Sequence, residues 1–397
     1  MMTTKFNLTV ICAFLAVATI AQSSKQSMSK LIDEDLRFAA EQYKYLIKET
    51  PPDVMPRSYD PSTQKLVTSN TKWWCSGFYP GTLWLLYKET KDEALKAEAE
   101  KRLQLLEPEK LNTGTHDLGF MIYCSFGNAY DITHNAHYKD VILTAAASLS
   151  TRYRPSIASL QSWNKNAKFN CPVIIDNMMN LELLEWASKN GGDKKFAEIA
   201  VNHANTTIKN HYRPDYSSYH VVDYDVDAGK VIKKVTHQGY ADESAWARGQ
   251  VWGLYGFTVM YRFTKDPAYL QQAIHIADFV LNHPNLPADK IPYWDFNAPD
   301  IPNAKRDASA GAIMASALLE LSKYAQASKS KTYKNTAETI LRSLSSPAYR
   351  AKPGTNGGFI LEHSVGHLPG NSEIDVPLSY ADYYFIEALI RYKEMMK

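Results

Sequence analysis

The chain has few cysteines: Cys12, Cys75, Cys124 and Cys171 among 397 residues. No Cys/His spacing resembles a zinc site. Cys12 sits inside an N-terminal apolar run, which leaves three. Three is odd, so at least one is unpaired unless it bridges chains, and buried structural thiols are the expectation for all three. Net charge is almost absent too. Lys and Arg total 44 against 42 Asp and Glu, a formal +2, so there is no basic footprint for nucleic acid. There is no Gly-x-Ser-x-Gly elbow, no P-loop and no dinucleotide fingerprint. Long apolar runs are missing as well. The stretch from Leu8 to Ile20 is too short to span a bilayer comfortably, so no membrane span is expected. With Lys5 before it and Thr19 and Ala21 ahead of Gln22, residues 1–21 read as a secretory signal peptide. Val10 and Ile11 in front of Cys12 make a poor lipidation site, which points to soluble export.

What the chain does have is aromatic side chains, with eight Trp and twenty-five Tyr, and helical periodicity. Twelve segments follow a helical pattern and none shows convincing strand alternation, apart from a strand-like run at Tyr219 to Tyr224. Every second helix is apolar nearly all round, which marks it as buried. These helices open at Gly77-Phe78, Asp117-Leu118-Gly119-Phe120, Asp176-Asn177, Trp246-Ala247-Arg248-Gly249, Asp307-Ala308-Ser309 and Asp382-Tyr383-Tyr384. The helices between them are charged on one side. The unit recurs at roughly sixty residues, longer than common solenoid repeats. The simplest closed solution is all-α: six inner helices ringed by six outer ones, an α6/α6 barrel. No linker divides 22–397, which reads as one catalytic domain. Six inner helix N-termini then meet at one pocket mouth, and their unpaired N–H groups favour an anionic ligand.

Asp117 and Asp176 open adjacent inner helices. Helix capping is the ordinary role of such a residue. Two of them facing one cavity would instead supply the paired carboxylates of glycosidic chemistry. A helix N-terminus lowers a carboxyl pKa and a neighbouring carboxylate raises it, so one of the two could stay protonated because the other is ionised. Asp307 and Asp382 are assigned to capping or loop bracing. Arg248 and Gln238 could orient a substrate carboxylate; otherwise Arg248 would pair with Asp242, Glu243 or a pocket carboxylate. His220 sits near Asp223 and Asp225 and could bond to one of them or face the pocket. Trp73, Trp74, Trp163, Trp246, Trp252 and Trp294 are candidate sugar platforms, Trp246 foremost; core packing is the alternative for each and the better reading for Trp84 and Trp186.

Several motifs resemble those of the unsaturated glucuronyl hydrolases, glycoside hydrolase family 88. They are Trp74-Cys75-Ser76-Gly77-Phe78-Tyr79-Pro80-Gly81, His116-Asp117-Leu118-Gly119-Phe120, Ile175-Asp176-Asn177-Met178-Met179-Asn180, His237-Gln238-Gly239-Tyr240, Trp246-Ala247-Arg248-Gly249-Gln250 and Asp382-Tyr383-Tyr384-Phe385. The resemblance covers most of the chain after residue 21. It implies an α6/α6 barrel, Asp176 as acid/base with Asp117 holding it protonated, and His220, Gln238, Trp246 and Arg248 as substrate contacts; Trp74 and Trp252 stay aromatic candidates from the residues themselves. The implied reaction needs no metal or cofactor. It releases a 4,5-unsaturated uronic acid from the non-reducing end of lyase-generated chondroitin, hyaluronan or heparin oligosaccharides, which suits an exported, periplasmic protein. The loop His363 to Ser372 carries no Lys or Arg, so the resemblance implies no preference for sulfated fragments. The rival readings are the related unsaturated rhamnogalacturonyl hydrolases, a non-catalytic sugar-binding barrel, and a sugar epimerase built on His116 and His220.

Overall fold

The structure is a computed structural model and describes residues 26–397; the signal peptide read over 1–21 lies outside them. Among the described residues twelve α-helices alternate between an outer and an inner layer. The outer layer comprises α1 (Met28–Glu49), α3 (Glu93–Leu106), α5 (Ala136–Ser150), α7 (Lys195–His211), α9 (Pro267–Asn282) and α11 (Ala327–Leu344). The inner layer comprises α2 (Phe78–Thr90), α4 (Asn128–Thr133), α6 (Asn177–Lys189), α8 (Ala247–Thr264), α10 (Ala308–Leu321) and α12 (Ser379–Met395). A π-helical segment, Gly119–Gly127, leads directly into α4 and completes the second inner helix. The inner helices pack in a closed circuit. α2 touches the π segment, which touches α6, then α8, α10 and α12, and α12 returns to α2. The expected α6/α6 barrel is the fold.

Burial follows the pattern of the sequence. All fourteen residues of α10 are buried, whereas α11 buries one stripe, Tyr333, Ala337, Ile340, Leu341 and Leu344. An inner helix touches neighbours all round; an outer helix has one wet face. At the barrel end away from the inner helix starts, Arg262 of α8 bridges Glu182 of α6 at 2.6 Å and Glu320 of α10 at 3.1 Å. Arg391 of α12 bridges Glu320 at 3.0 Å and Glu387 of its own helix at 3.4 Å. These charges link four consecutive inner helices. No helix among the described residues is long and apolar enough to cross a membrane.

The expectation of no strands is corrected. Among the described residues nine short strands form four small antiparallel sheets, all in connections between helices. β1 (Met55–Asp60) pairs with β2 (Lys65–Ser69), and β3 (Tyr153–Arg154) with β4 (Ser159–Leu160). β5 (Cys171–Ile174), β6 (Val221–Asp225) and β7 (Lys230–Val235) make a three-stranded sheet, and β8 (Ser364–His367) pairs with β9 (Ser372–Val376). β6 overlaps the run read as strand-like. Strands of two to six residues are too short for alternation to stand out. Cys75, Cys124 and Cys171 are all free thiols.

Candidate active site

Two glycines bring the key helix starts together. A Cβ on Gly119 would lie 2.6 Å from the Cα of Asn180, so only glycine permits this approach. The Phe120 N–H donates to Asn180 Oδ1 at 3.0 Å. Gly77 meets the carbonyls of Phe120 and Met121 just as closely. The start of the π segment is thereby pressed against α6, and Asp117 and Asp176 enter the same pocket. A cavity of about 130 Å³ is lined by Trp74, His116, Asp117, Ile174, Asp176, Gln238 and Arg248.

Neither aspartate is spent on capping. Asp176 is the N-cap residue of α6 but makes no side-chain cap bond. Its Oδ2 is buried without a hydrogen-bond partner and faces His220 Nε2, equally unpartnered, at 3.8 Å. Asp117 Oδ2 accepts from the Thr115 hydroxyl at 2.9 Å, and its Oδ1 lies 3.1 Å from His116 Nε2. Asp307 and Asp382 do take the bracing roles expected of them. Asp307 caps α10 through the N–H groups of Ser309 and Ala310. Asp382 accepts from the N–H groups of Ile360 and Leu361, both at 2.9 Å, and from Tyr43.

Burial is the main force lifting the Asp176 carboxyl, which it carries to about 7; Arg248 opposes the rise and Asp117 adds a lesser push. This corrects the expectation that repulsion by Asp117 does most of the work: a charge loses more by leaving water than it gains or loses from a partly compensated neighbour. His220 is held neutral, chiefly by burial and then by His237 and Arg248. Its Nδ1 accepts two backbone N–H groups, from His237 at 3.2 Å and Gln238 at 3.1 Å. The ring proton must therefore sit on Nε2, aimed at Asp176. His220 has no bond to Asp223 or Asp225; Asp223 is occupied by the N–H groups of Asn170 and Cys171.

Arg248 is fully buried. It pairs with Asp307 at 3.0 Å rather than with Asp242 or Glu243, donates to the carbonyls of Val365 and Gly366, and stacks over Trp246 at 4.6 Å and Tyr380 at 5.3 Å. Gln238 donates to the same Gly366 carbonyl at 3.0 Å. The β8–β9 hairpin is thus fastened to the pocket wall by Arg248 and Gln238 together, and by His367, which bonds the His237 carbonyl at 2.9 Å.

The tryptophans divide. Trp74 lines the cavity, backed by Tyr380 at 4.9 Å. Trp246 offers no open face: it is 3% exposed, with the His220 ring 4.6 Å away and the Arg248 guanidinium over it. Trp252 is not brought to the pocket at all. It is wholly buried between Phe120 and Tyr384, because six residues along α8 turn it away from Trp246. Trp294 is buried, Trp163 packs on Phe169 and His237, and Trp73 stands exposed under Arg57. Trp84 is buried, while Trp186 is part-buried on the lining of a second cavity at the charged end. Sequence reasoning gave no site role to Tyr380 and no pairing to Asp307; His116 entered only through the epimerase reading. Its place beside Asp117 in the chain was the available signal.

The chain is 49% identical over 343 residues to the unsaturated glucuronyl hydrolase of Formosa agariphila, covering 86% of this chain and 85% of that one. It is 34% identical to the unsaturated chondroitin disaccharide hydrolase of Streptococcus pyogenes serotype M1, over 83% of each. The solved structure of an unsaturated glucuronyl hydrolase specific for heparin superposes with a TM-score of 0.90 at 46% identity, covering 93% of this chain and 98% of that one. The profile of glycosyl hydrolase family 47 matches residues 252–376, a stretch that contains neither Asp117 nor Asp176. Identity at this level over most of both chains, on the same fold, shows that this glycoside hydrolase belongs to the unsaturated glucuronyl hydrolase family.

Proposed function

We propose that the protein removes a 4,5-unsaturated uronic acid from the non-reducing end of lyase-generated glycosaminoglycan oligosaccharides. The observation that carries this reading is Asp176: a buried carboxyl raised to about 7, with one oxygen unbonded, in the same pocket as Asp117. The terminal ring of such a substrate holds a vinyl ether. Asp176 gives its proton to C4, and the charge that develops is shared by C5 and the ring oxygen. Asp176, now a carboxylate, takes a proton from water as that water adds to C5. The product hemiketal rearranges and releases the neighbouring sugar. The Nε2–H of His220 faces Asp176 and steadies the carboxylate form between the two steps. Arg248 and the inner helix starts favour the uronate charge, and Trp74 supplies a flat wall for the ring.

The names of the relatives, heparin-specific in one case and acting on chondroitin disaccharides in another, support this substrate class. The apolar run within 1–21 supports export, with the periplasm as the site of action. The test is loss of the ultraviolet absorbance of the conjugated double bond on mixing with chondroitin or heparin lyase products. Wild type should bleach it, and Asp176→Asn should slow the reaction about 10²–10⁴-fold. A wild-type protein that leaves the absorbance unchanged on both substrates would overturn the proposal.

A further inference from the structure

Asn177 follows Asp176, opens α6 and is wholly buried. An asparagine at a helix start commonly bonds the backbone of its own turn. This one reaches away from its helix. Its Nδ2 donates to the Leu160 carbonyl at 2.7 Å, and its Oδ1 accepts from the Ser162 hydroxyl at 2.9 Å. Only one orientation of the amide works. The Leu160 carbonyl can only accept, and Ser162 Oγ already accepts from the Ile174 N–H at 2.9 Å, so the hydroxyl proton goes to Asn177. The Ser162 hydroxyl is thus the meeting point of three segments: the start of α6, the end of β5 and the chain leaving β4. Leu160 is fixed in turn, its N–H donating to His203 Nδ1 at 3.0 Å. Backbone bonds continue the assembly, from the Ser162 N–H to the Pro172 carbonyl at 2.8 Å and from the Ile175 N–H to the His220 carbonyl at 3.1 Å.

These segments enclose Asp176. Ile174 lines the same cavity, and so does His116, whose Nδ1 donates to the Ser162 carbonyl at 2.8 Å. Asp176 makes no cap bond and its Oδ2 has no partner, so its place depends on the backbone that carries it. We propose that Asn177 is a positioning residue for the reaction: its amide locks together the segments around Asp176, so that this carboxyl stays dry and aimed into the pocket. The inference rests on the function proposed above. The charged and titratable groups that face Asp176 or share its cavity are Asp117, His116, His220 and Arg248. None of them bonds to the Asn177 amide or to the Ser162 hydroxyl. A change at either side chain therefore alters the enclosure and leaves those charges in place. Burial is the chief force that raises Asp176, and water admitted beside it favours the carboxylate.

Asn177→Ala tests this. The alkaline limb of kcat/KM, set by Asp176, should move down by about half a pH unit or more. The value of kcat should fall about tenfold or more while KM changes little, since Arg248 and Trp74 lie on other elements. Ser162→Ala opens the same junction by losing one hydroxyl rather than an amide, so it carries the prediction if the first variant does not fold. The double variant should be no worse than the worse single one, because the two side chains act as a unit. Leu341→Ala, buried in the outer helix α11, is the control for lost stability alone: its melting temperature should drop with the limb unmoved. A lower melting temperature in the Asn177 and Ser162 variants, with limb and kcat both unmoved, would overturn the proposal. A second readout needs no turnover. In protein carrying isotopically labelled aspartate, the carboxyl carbon signal that vanishes in Asp176→Asn reports this group directly. Its titration should fall to lower pH in both variants, and an unmoved titration would refute the role given to Asn177. A protein inactive on unsaturated disaccharides would sink the functional reading, while this titration still decides what Asn177 does.

Discussion

Asp176→Asn should strengthen the fold at alkaline pH while it removes activity. Burial lifts this carboxyl from an ordinary 3.8 to about 7. At about 1.36 kcal/mol per unit, ionising it in the native state costs up to about 4 kcal/mol. Between about pH 4 and 7 the folded protein keeps the proton that the unfolded chain has released. Stability therefore falls as pH rises through that window, and the loss is complete above the native value. Asparagine has no charge to bury. Near pH 4 the variant should match wild type or fall slightly below it. By pH 8 it should be the more stable, by a few kcal/mol at most. Urea unfolding of both proteins at pH 4.5, 6 and 8 measures the gap directly. Asp382 and Glu185, also raised to about 7 by burial, bend both curves alike and cancel in the difference. A gap that stays constant across the three pH values would refute the argument, since a mere packing change has no reason to follow this titration.

Three further outcomes follow from the geometry. Asp307→Ala leaves Arg248 buried and unpaired and should destabilise the protein by about 3–5 kcal/mol, read from thermal or urea unfolding. Gly119→Ala places a methyl 2.6 Å from the Asn180 backbone; it should cost about 1–3 kcal/mol and lower kcat, because the helix starts carrying the two aspartates must separate. Trp74→Ala should raise KM with little change in melting temperature, whereas Trp252→Ala should cost about 3–5 kcal/mol of stability. Equal effects of the two tryptophans on KM would contradict their placement.

Much of this architecture could be read from the order of side chains alone. Helices such as α10 are apolar all round, and a chain that alternates them with one-sided helices has few ways to bury them except as a ring within a ring. The turn-rich starts of the inner helices also pointed to one functional face. What stayed hidden depends on contacts distant in sequence. Whether Asp176 caps its helix turns on where a side chain rotates, and here its carboxyl makes no cap bond. The partner of Arg248 lies fifty-nine positions along the chain, behind two nearer acids that looked equally suitable. Trp246 and Trp252 lie six positions apart at one motif-rich helix start, yet one packs on Arg248 and His220 and the other between Phe120 and Tyr384. The size of the burial effect on Asp176 could not be weighed against repulsion from Asp117 until the enclosing walls were known.

The circuit of inner helices has an order imposed by the chain. Among the described residues α12 is the last inner helix in chain order, yet it fills the gap between α2 and α10 and supplies Tyr380 beneath Arg248. It also contributes Arg391 and Glu387, the final links of the ionic chain at the far end. A polypeptide lacking its last seventeen helical residues would thus keep Asp117 and Asp176 and still have an unsealed wall, with two greasy flanks exposed to one another across a missing stave. The ring is complete only with α12, so loss of that helix is the alteration this scaffold should tolerate least.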